Sequence, residues 1–216
     1  MVPDELLKDP EIRALALRNL ELEAQKSEIE LAQMARNEEI LVNSQERGGR
    51  FDLVGVIMEG GVHDFIVRLE NWSKRNPGQG IEIILNSPGG SVLDGLALVD
   101  YLTILQGRGH KLTIIGTGMV ASMAGVLLQI ADERILTKHA YFGMHEVSSY
   151  VGMANTSMAE DALKFTKELQ SRLVTLLCAK STLTKPKLTT MWKRKDIWVN
   201  AERALDMGLV DKILEG

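Results

Sequence analysis

An uncharged stretch, residues 112–131, constrains the fold of this chain more than any other feature of its sequence. The stretch is about as long as a bilayer-spanning helix has to be. However, it contains glycine, threonine, serine and glutamine, and its composition changes in the middle. Residues 112–116 are rich in β-branched side chains, whereas residues 123–131 have the composition of a buried helix. We therefore interpret the stretch as a strand and a helix in the core of an α/β domain.

A bend of small residues, 118–124, joins this strand to this helix and contains Ser122. The first backbone N–H groups of a helix lack intrahelical partners and lie at the positive end of the helix dipole. Such groups stabilise the oxyanion that forms when a serine attacks a carbonyl carbon. An isolated serine at such a place is more often only a helix cap. Ser122 is therefore a candidate nucleophile only in combination with other features.

A second loop, residues 86–91, follows a predicted strand at residues 81–85. Its proline fixes one bend, and its paired glycines allow positive φ and a close approach of the backbone to a ligand. Both loops follow adjacent predicted strands, so we expect them at the edge of an α/β sheet where sites form. The loop leads into a helix predicted at residues 91–106, whose apolar side comprises Leu93, Leu96, Val99, Leu102 and Leu105.

The other predicted elements complete one domain and one extension. Residues 51–58 predict a buried strand, residues 60–61 a glycine turn and residues 63–74 a helix. The order strand, helix, strand predicts a parallel crossover. Residues 1–47 are charged and glycine-free, which predicts an N-terminal amphipathic helical extension. We expect the globular domain to occupy residues 48–216.

Composition narrows the classes of partner and compartment. The 216 residues carry a formal net charge of −4, which gives no reason to expect nucleic acid or a membrane as partner. The single cysteine, Cys178, excludes an intrachain disulfide and lies in an apolar stretch typical of a structural thiol. The acidic N-terminus lacks the apolar core of a signal peptide. We therefore expect a cytoplasmic protein.

Three motifs in the same order resemble those of the proteolytic subunit of the Clp protease family. They are Asn-Ser-Pro-Gly-Gly at 86–90, Gly-Met-Val-Ala-Ser-Met at 118–123 and Tyr-Phe-Gly-Met-His at 141–145. The resemblance implies an α/β fold of the Clp/crotonase type, with repeated β-β-α units and a handle-like helix. It also implies that no metal or organic cofactor is needed. The roles that it implies are the nucleophile for Ser122, the base for His145 and an oxyanion hole formed by the backbone N–H groups of Gly90 and Met123.

A fourth motif, residues 195–204 followed by residues 207–211, resembles the C-terminal signature of the same family. In that signature the triad acid precedes by five residues an alanine that opens a helix. Here that alanine is Ala201, so the resemblance implies Asp196 as the third triad member. A carboxylate on one imidazole nitrogen fixes the tautomer and stabilises the imidazolium. The alternative for Asp196 is a surface acid near a helix that starts at Asn200.

Two neighbouring residues compete with His145 for the role of base. His139 is one, and Lys138 is the other, because it could form a Ser–Lys dyad like that of the signal peptide peptidase family. Residues 140–144 predict a short strand whose end would project His145 into a site. We expect Lys138 and His139 to turn in solvent between strands, and we therefore prefer His145.

The chain departs from the family pattern on both sides of these motifs. His145 is followed by Glu-Val where the family has Gln-Pro, and residues 148–153 replace a glycine-rich strand. Residues 1–47 do not match the short axial segment that meets an ATP-driven unfoldase in the family, so the sequence does not support docking to a standard unfoldase. Such divergent, extended chains resemble the Clp-like proteases of phages and prophages, where the substrates would include capsid proteins.

These features and the resemblance together predict a serine endopeptidase that cuts proteins through an acyl-enzyme inside a ring-shaped homo-oligomer, a tetradecamer of two stacked rings. Amphipathic helices predicted at residues 10–42 and 156–180 would need partners, because residues 51–155 and 185–215 supply a core without using both. A crotonase-like acyl-CoA enzyme and an inactive structural ring subunit are the alternatives. The apolar side of the second helix comprises Ala162, Phe165, Leu169, Leu173 and Leu176.

Overall fold

A computed structural model describes residues 18, 21, 23–28, 48–148 and 155–215 of the chain. The chain divides between Glu46 and Arg47 into two units. The described residues of the first unit are helical and exposed. Most of the helix predicted at residues 10–42, and residues 149–153 of the segment that departs from the family, lie outside the described residues.

The second unit is built on a seven-stranded, mainly parallel sheet. The order along the main path is β1-β2-β3-β4-β7, while β5 pairs with β3 and β6 pairs antiparallel with β5. The parallel pairing of β1 with β2 and of β2 with β3 confirms the predicted α/β fold. The strands are β1 Arg50–Val54, β2 Ile81–Ser87, β3 Leu112–Ala121, β4 Glu133–Thr137, β5 Tyr141–Met144, β6 Ile197–Asn200 and β7 Lys212–Leu214.

Six helices of this unit connect and cover the strands in the described ranges. They are α1 Glu59–Arg75, α2 Val92–Gly107, α3 Met123–Ile130, α4 Thr156–Cys178, α5 Lys185–Trp192 and α6 Ala201–Asp206. The uncharged stretch divides as expected into β3 and α3. The predicted turn at residues 60–61 is wrong, because both glycines lie in the first turn of α1. A glycine that close to a helix start costs less than one in the middle, where neighbouring turns depend on it.

Strand β3 changes its outer neighbour halfway along its length. Thr113 to Gly116 pair with β4, whereas Met119 to Ala121 pair with β5. On the other side the register with β2 shifts, because Leu85 faces Gly116 but Ser87 faces Val120. The extra residues of β3 form a bulge that turns the second half of the strand toward β5.

Helix α4 has two halves in different environments. Leu173, Val174 and Leu177 are buried in the core of their own unit. Phe165 is 49% exposed, and Met158 and Leu163 in the same half are also exposed. Leu173, on the predicted apolar side of α4, is therefore covered by the core of its own unit and does not need a partner. Leu93 also departs from its prediction, because it is exposed rather than on the apolar side of α2.

The buried guanidinium of Arg134 connects the segment around β7 to the neighbouring strand β4. Arg134 on β4 forms a two-point ion pair with Asp211, in which Nη2 lies 2.5 Å from Oδ1 and Nε lies 3.0 Å from Oδ2. Its Nη1 donates to Oε1 of Gln129 and to the carbonyl of Gly208. The guanidinium lowers the pKa of the Asp211 carboxyl below its usual value. These bonds satisfy the buried charge and hold β7 beside β4.

Candidate active site

The backbone at Ser122 has an uncommon conformation. Ser122 lies between β3 and α3 with φ 55° and ψ −123°. A residue with a side chain seldom adopts this region, and such strain costs about 1–3 kcal/mol. The Ser122 side chain does not cap the helix, although the residue occupies the N-cap position. Its N–H donates to the carbonyl of Gly143 at 2.9 Å, which fixes the turn against β5. The side chain is thus held at the end of a strand without a capping role.

Two backbone N–H groups near Ser122 lack a hydrogen-bond acceptor within the described part of the chain. Met123 begins α3, where the first N–H groups have no intrahelical acceptor. Around Gly90, the loop pairs with Ile57 through the carbonyl of Gly89 and the N–H of Ser91, at 2.9 and 2.8 Å. This pairing leaves the N–H of Gly90 itself unused.

Glycine is required at residue 89 for a second reason besides its φ of 92°. A Cβ there would lie 2.6 Å from the Cβ of Ser122 and 2.9 Å from the backbone nitrogen of Met123. The N–H of Gly89 donates to Oγ of the buried Ser87 at 3.0 Å, which holds the loop in place. The loop that carries Gly90 therefore packs directly on the turn that carries Ser122.

His145 follows β5 directly and is partly buried. Its Nδ1 lies 2.6 Å from the carbonyl oxygen of Glu146. A carbonyl oxygen can only accept, so Nδ1 carries the hydrogen and Nε2 of the neutral ring is left as the acceptor. This is the tautomer that a general base for a serine requires.

The backbone of Asp196 lies near that of His145 in space, but the two side chains do not form a hydrogen bond. The antiparallel pairing of β5 and β6 ends with Met144 opposite Ile197, and His145 and Asp196 are the residues next to that last pair. The Asp196 side chain is exposed. Among the described residues neither Asp196 nor Ser122 forms a hydrogen bond with His145. The single chain therefore brings the three predicted residues into one region without linking them into a triad.

Ser122 and His145 line one cavity of about 220 Å³. Gly90 and Pro88 of the loop form part of its rim, and Ser148 adds a hydroxyl. The remaining wall is apolar and comes from four helices, the end of β5 and the loop that follows β5. Its residues are Val92, Val126, Met144, Val147, Leu173, Leu177 and Trp192.

The rivals of this site differ from it in place or in environment. Lys138 and His139 form the exposed turn between β4 and β5, as expected. Burial raises the pKa of the Cys178 thiol and so lowers its thiolate fraction at neutral pH. Another serine and histidine, Ser73 and His110, are hydrogen-bonded at 2.7 Å but are both buried. They lie near the opposite edge of the sheet, where β2 and β3 begin.

Three contributions to the site were missed from sequence. Glu146 was noted only as a departure from the family, yet its carbonyl holds His145 and its Oε2 accepts the N–H of Arg194 at 3.0 Å. Trp192 was unassigned, yet its buried ring lines the cavity. The motif at residues 86–90 predicts no separate role for Asn86, yet its side chain accepts a hydrogen bond from β3. No periodicity signals such long-range contacts.

Two properties of the described residues concern membrane insertion and metal binding. None of the helices there is long and apolar enough to cross a membrane. No group of three or more histidine, cysteine, aspartate or glutamate side chains in the described ranges could hold a metal ion.

Comparison with protein families gives one match. The model described as Clp protease matches residues 34–216. This range contains every residue of the cavity and the six helices and seven strands named above.

Curated relatives agree with the family match. A protein named ATP-dependent Clp protease proteolytic subunit 3, from Streptomyces coelicolor, is 31% identical over 66% of this chain and 64% of its own length. Subunit 1 of Chlamydia trachomatis is 32% identical over 64% of this chain and 72% of its own length. The subunit of Porphyromonas gingivalis is 35% identical over 65% of this chain and 62% of its own length. The chain thus spans about two thirds of the length of these relatives.

Proposed function

This chain belongs to the Clp protease family, and from that membership we propose that it is a serine endopeptidase. The observation that carries the proposal is the shared cavity. Ser122, in its strained turn, and His145, with Nε2 as acceptor, line that cavity together with Gly90. The relatives are named as proteolytic subunits, which supports hydrolysis of peptide bonds.

The proposed reaction has two stages. Oγ of Ser122 attacks the substrate carbonyl carbon while Nε2 of His145 takes the hydroxyl proton. The N–H groups of Gly90 and Met123 donate to the oxyanion. His145 then gives its proton to the leaving amine, and an acyl-enzyme remains on Ser122. A water molecule, deprotonated by His145, hydrolyses that ester and restores the serine.

We assign the third triad position to Asp196. The pairing of β5 and β6 supports this, because its last pair, Met144 with Ile197, directly adjoins His145 and Asp196. In the single chain the Glu146 carbonyl takes the place of that carboxylate at Nδ1. Catalysis then requires a change of partner at Nδ1 from the Glu146 carbonyl to the Asp196 carboxylate. Such a change lets assembly or substrate control the activity.

The apolar wall of the cavity indicates which substrate side chain it takes. Val126, Leu173, Leu177 and Trp192 surround the space beside Ser122. Burial of a large apolar side chain there contributes about 1.5–3 kcal/mol relative to an exposed one. We expect cleavage after apolar residues of protein substrates, which include capsid proteins if the chain is of phage origin. We propose the cytoplasm as the location of this protein.

Hydrolysis of an unstructured protein such as casein, and of a fluorogenic peptide with an apolar residue before the scissile bond, tests the proposed activity. Wild type should cleave both, and Ser122→Ala should cleave neither while retaining its circular dichroism spectrum. Turnover of acyl-CoA thioesters without peptide cleavage would favour a crotonase-like enzyme. Folded, assembled protein without either activity would favour a structural ring subunit.

We further propose that the chain assembles into a ring-shaped homo-oligomer, as two stacked rings. The exposed apolar half of α4 supports this, because Met158, Leu163 and Phe165 need a partner surface. Phe165→Glu should split the particle and lower peptide hydrolysis together, whereas Ser171→Glu, at an exposed polar position on the same helix, should do neither. Analytical ultracentrifugation beside the peptide assay measures both. A fully active monomer at micromolar concentration would contradict the assembly.

A further inference from the structure

The bulge in β3 is the feature that brings Ser122 to β5. The strand leaves β4 after Gly116 and joins β5 at Met119, and the strand register with β2 shifts over the same residues. Ser122 follows the second half of β3 directly and bonds to Gly143 on β5. Without the bulge, β3 would continue beside β4 and would not bring Ser122 to the strand that ends at His145.

One side chain from the neighbouring strand contacts this bulge. Oδ1 of Asn86 accepts the N–H of Met119 at 3.2 Å. Gly118 is in the left-handed region with φ 56°, and a Cβ added there would lie 3.2 Å from the same oxygen. The carbonyl of Asn86 accepts the N–H of Gly55 at 2.9 Å, which fixes the Asn86 backbone. The bulge therefore closes tightly around the Asn86 amide.

We propose that Asn86 is a positioning residue for the nucleophile. Its side chain holds the bulge so that the second half of β3 follows β5 and Ser122 enters the cavity beside His145. The proposal rests on the proposed peptidase function. Asn86 touches neither substrate nor the reacting atoms in this scheme. It acts through Met119, three residues before Ser122, and displacements of about 1 Å at a reacting group cost on the order of 10²-fold in rate.

The chemistry of the contact provides a matched pair of variants. Of the two polar atoms of the Asn86 amide, only the acceptor oxygen has a hydrogen-bond partner among the described residues. Asn86→Asp keeps an acceptor oxygen at that place, whereas Asn86→Leu keeps a similar volume and removes it. Asn76→Leu is a control elsewhere, because it also removes one partly buried hydrogen bond, from Nδ2 of Asn76 to the carbonyl of Trp72.

The test measures the rate at which a fluorophosphonate probe phosphonylates the full-length protein, with an Oγ–P bond formed and fluoride released, together with KM for a peptide and the unfolding temperature. Asn86→Leu should be phosphonylated on the order of 10²-fold more slowly, with KM little changed, because the loss concerns the geometry of attack. Asn86→Asp should remain close to wild type in all three. Asn76→Leu should lower the unfolding temperature and leave the phosphonylation rate unchanged.

Three results would overturn the positioning role: wild-type phosphonylation in Asn86→Leu, equal losses in Asn86→Leu and Asn86→Asp, or equal losses in Asn86→Leu and Asn76→Leu. If Asn86→Leu does not fold, Asn86→Ser replaces it, since the shorter hydroxyl cannot reach Met119 from the same Cα. These failures differ from failure of the proposed function. In that case the wild type itself would not be phosphonylated at Ser122, and the role of Asn86 would fall with it.

Discussion

Two serine–histidine pairs occur in the described part of the chain, and the better-bonded pair is the less suited to catalysis. Ser73 and His110 are joined by a hydrogen bond of 2.7 Å, and Nδ1 of His110 lies 2.7 Å from the carbonyl oxygen of Gln79. Ser122 and His145 are not bonded to each other, yet they share a cavity. In both pairs a backbone carbonyl fixes Nδ1 as the donor, so Nε2 is the acceptor.

The difference between the pairs lies in access and in what surrounds the oxygen. Ser73 is 5% exposed and His110 is 3% exposed, and the ring of Trp72 packs against the histidine. The backbone N–H groups of Gly90 and Met123, near Ser122, instead have no acceptor among the residues that the structure describes. Access, rather than the length of the serine–histidine bond, therefore distinguishes the two pairs: Ser73 and His110 are closed to a substrate, whereas Ser122 and His145 line a cavity.

The largest effect is expected at the base. His145→Ala should reduce peptide hydrolysis on the order of 10⁵–10⁶-fold, as loss of the serine would, because the members of a triad act as a unit. The double variant with Ser122→Ala should lose no more than either single variant. His110→Gln should lower thermal stability without lowering the rate at temperatures where it is folded. Equal loss of rate in folded His110→Gln would favour the buried pair.

His139→Ala is the surface control for the same comparison. His139 lies in the exposed turn before β5, so its removal should change neither assembly nor hydrolysis. Steady-state peptide cleavage by the purified assembled protein measures this. A loss of rate in assembled His139→Ala as large as that in His145→Ala would overturn the choice of base.

Asp196→Asn should have the next largest effect, about 10⁴-fold on kcat, because an amide holds the wrong tautomer of the histidine. The matched control is Asp206→Asn, which removes an exposed carboxylate beside Arg203 and should leave kcat unchanged. Peptide kinetics on the assembled protein distinguish the two. If Asp196→Asn keeps the full kcat, the Glu146 carbonyl suffices as the partner of Nδ1 and Asp196 is a surface acid.

Sequence reasoning worked where local composition determines the outcome. The division of residues 112–131 into β3 and α3 follows from the change in side-chain type, and the adjacency of β2 and β3 follows from the crossover rule. The turn at residues 60–61 was wrong because the glycines could not be distinguished from a helix start without the packing of α1. The periodicity of α4 predicts that Leu173 lies on an apolar side, but it does not predict whether the core or a partner covers that side.

The details of the site were less accessible from the sequence. The hydrogen bond from His145 to the carbonyl of Glu146 depends on the rotamer of the imidazole ring, which a sequence pattern does not predict. The bulge at Gly118 depends on a contact from Asn86, which is far away in the sequence. The first contact joins two adjacent residues and the second joins residues of two different strands, and in both the residue types are individually ordinary.

The smallest effect is expected at Ser73. Ser73→Ala removes the donor to Nε2 of the buried His110 and should cost about 1–3 kcal/mol of unfolding free energy. Denaturant titration measures that loss. Peptide hydrolysis should stay at the wild-type rate under folding conditions, and a fall in the rate without a fall in stability would contradict a purely structural pair.

The most direct test of the account is to locate the covalent adduct of a fluorophosphonate probe by peptide mapping and mass spectrometry of the assembled protein. The account predicts one adduct per chain, on the peptide that contains Ser122, and its absence from Ser122→Ala. Ser73→Ala should be labelled like the wild type. An adduct on Ser73, or unchanged labelling of Ser122→Ala, would contradict the assignment of Ser122 as the nucleophile.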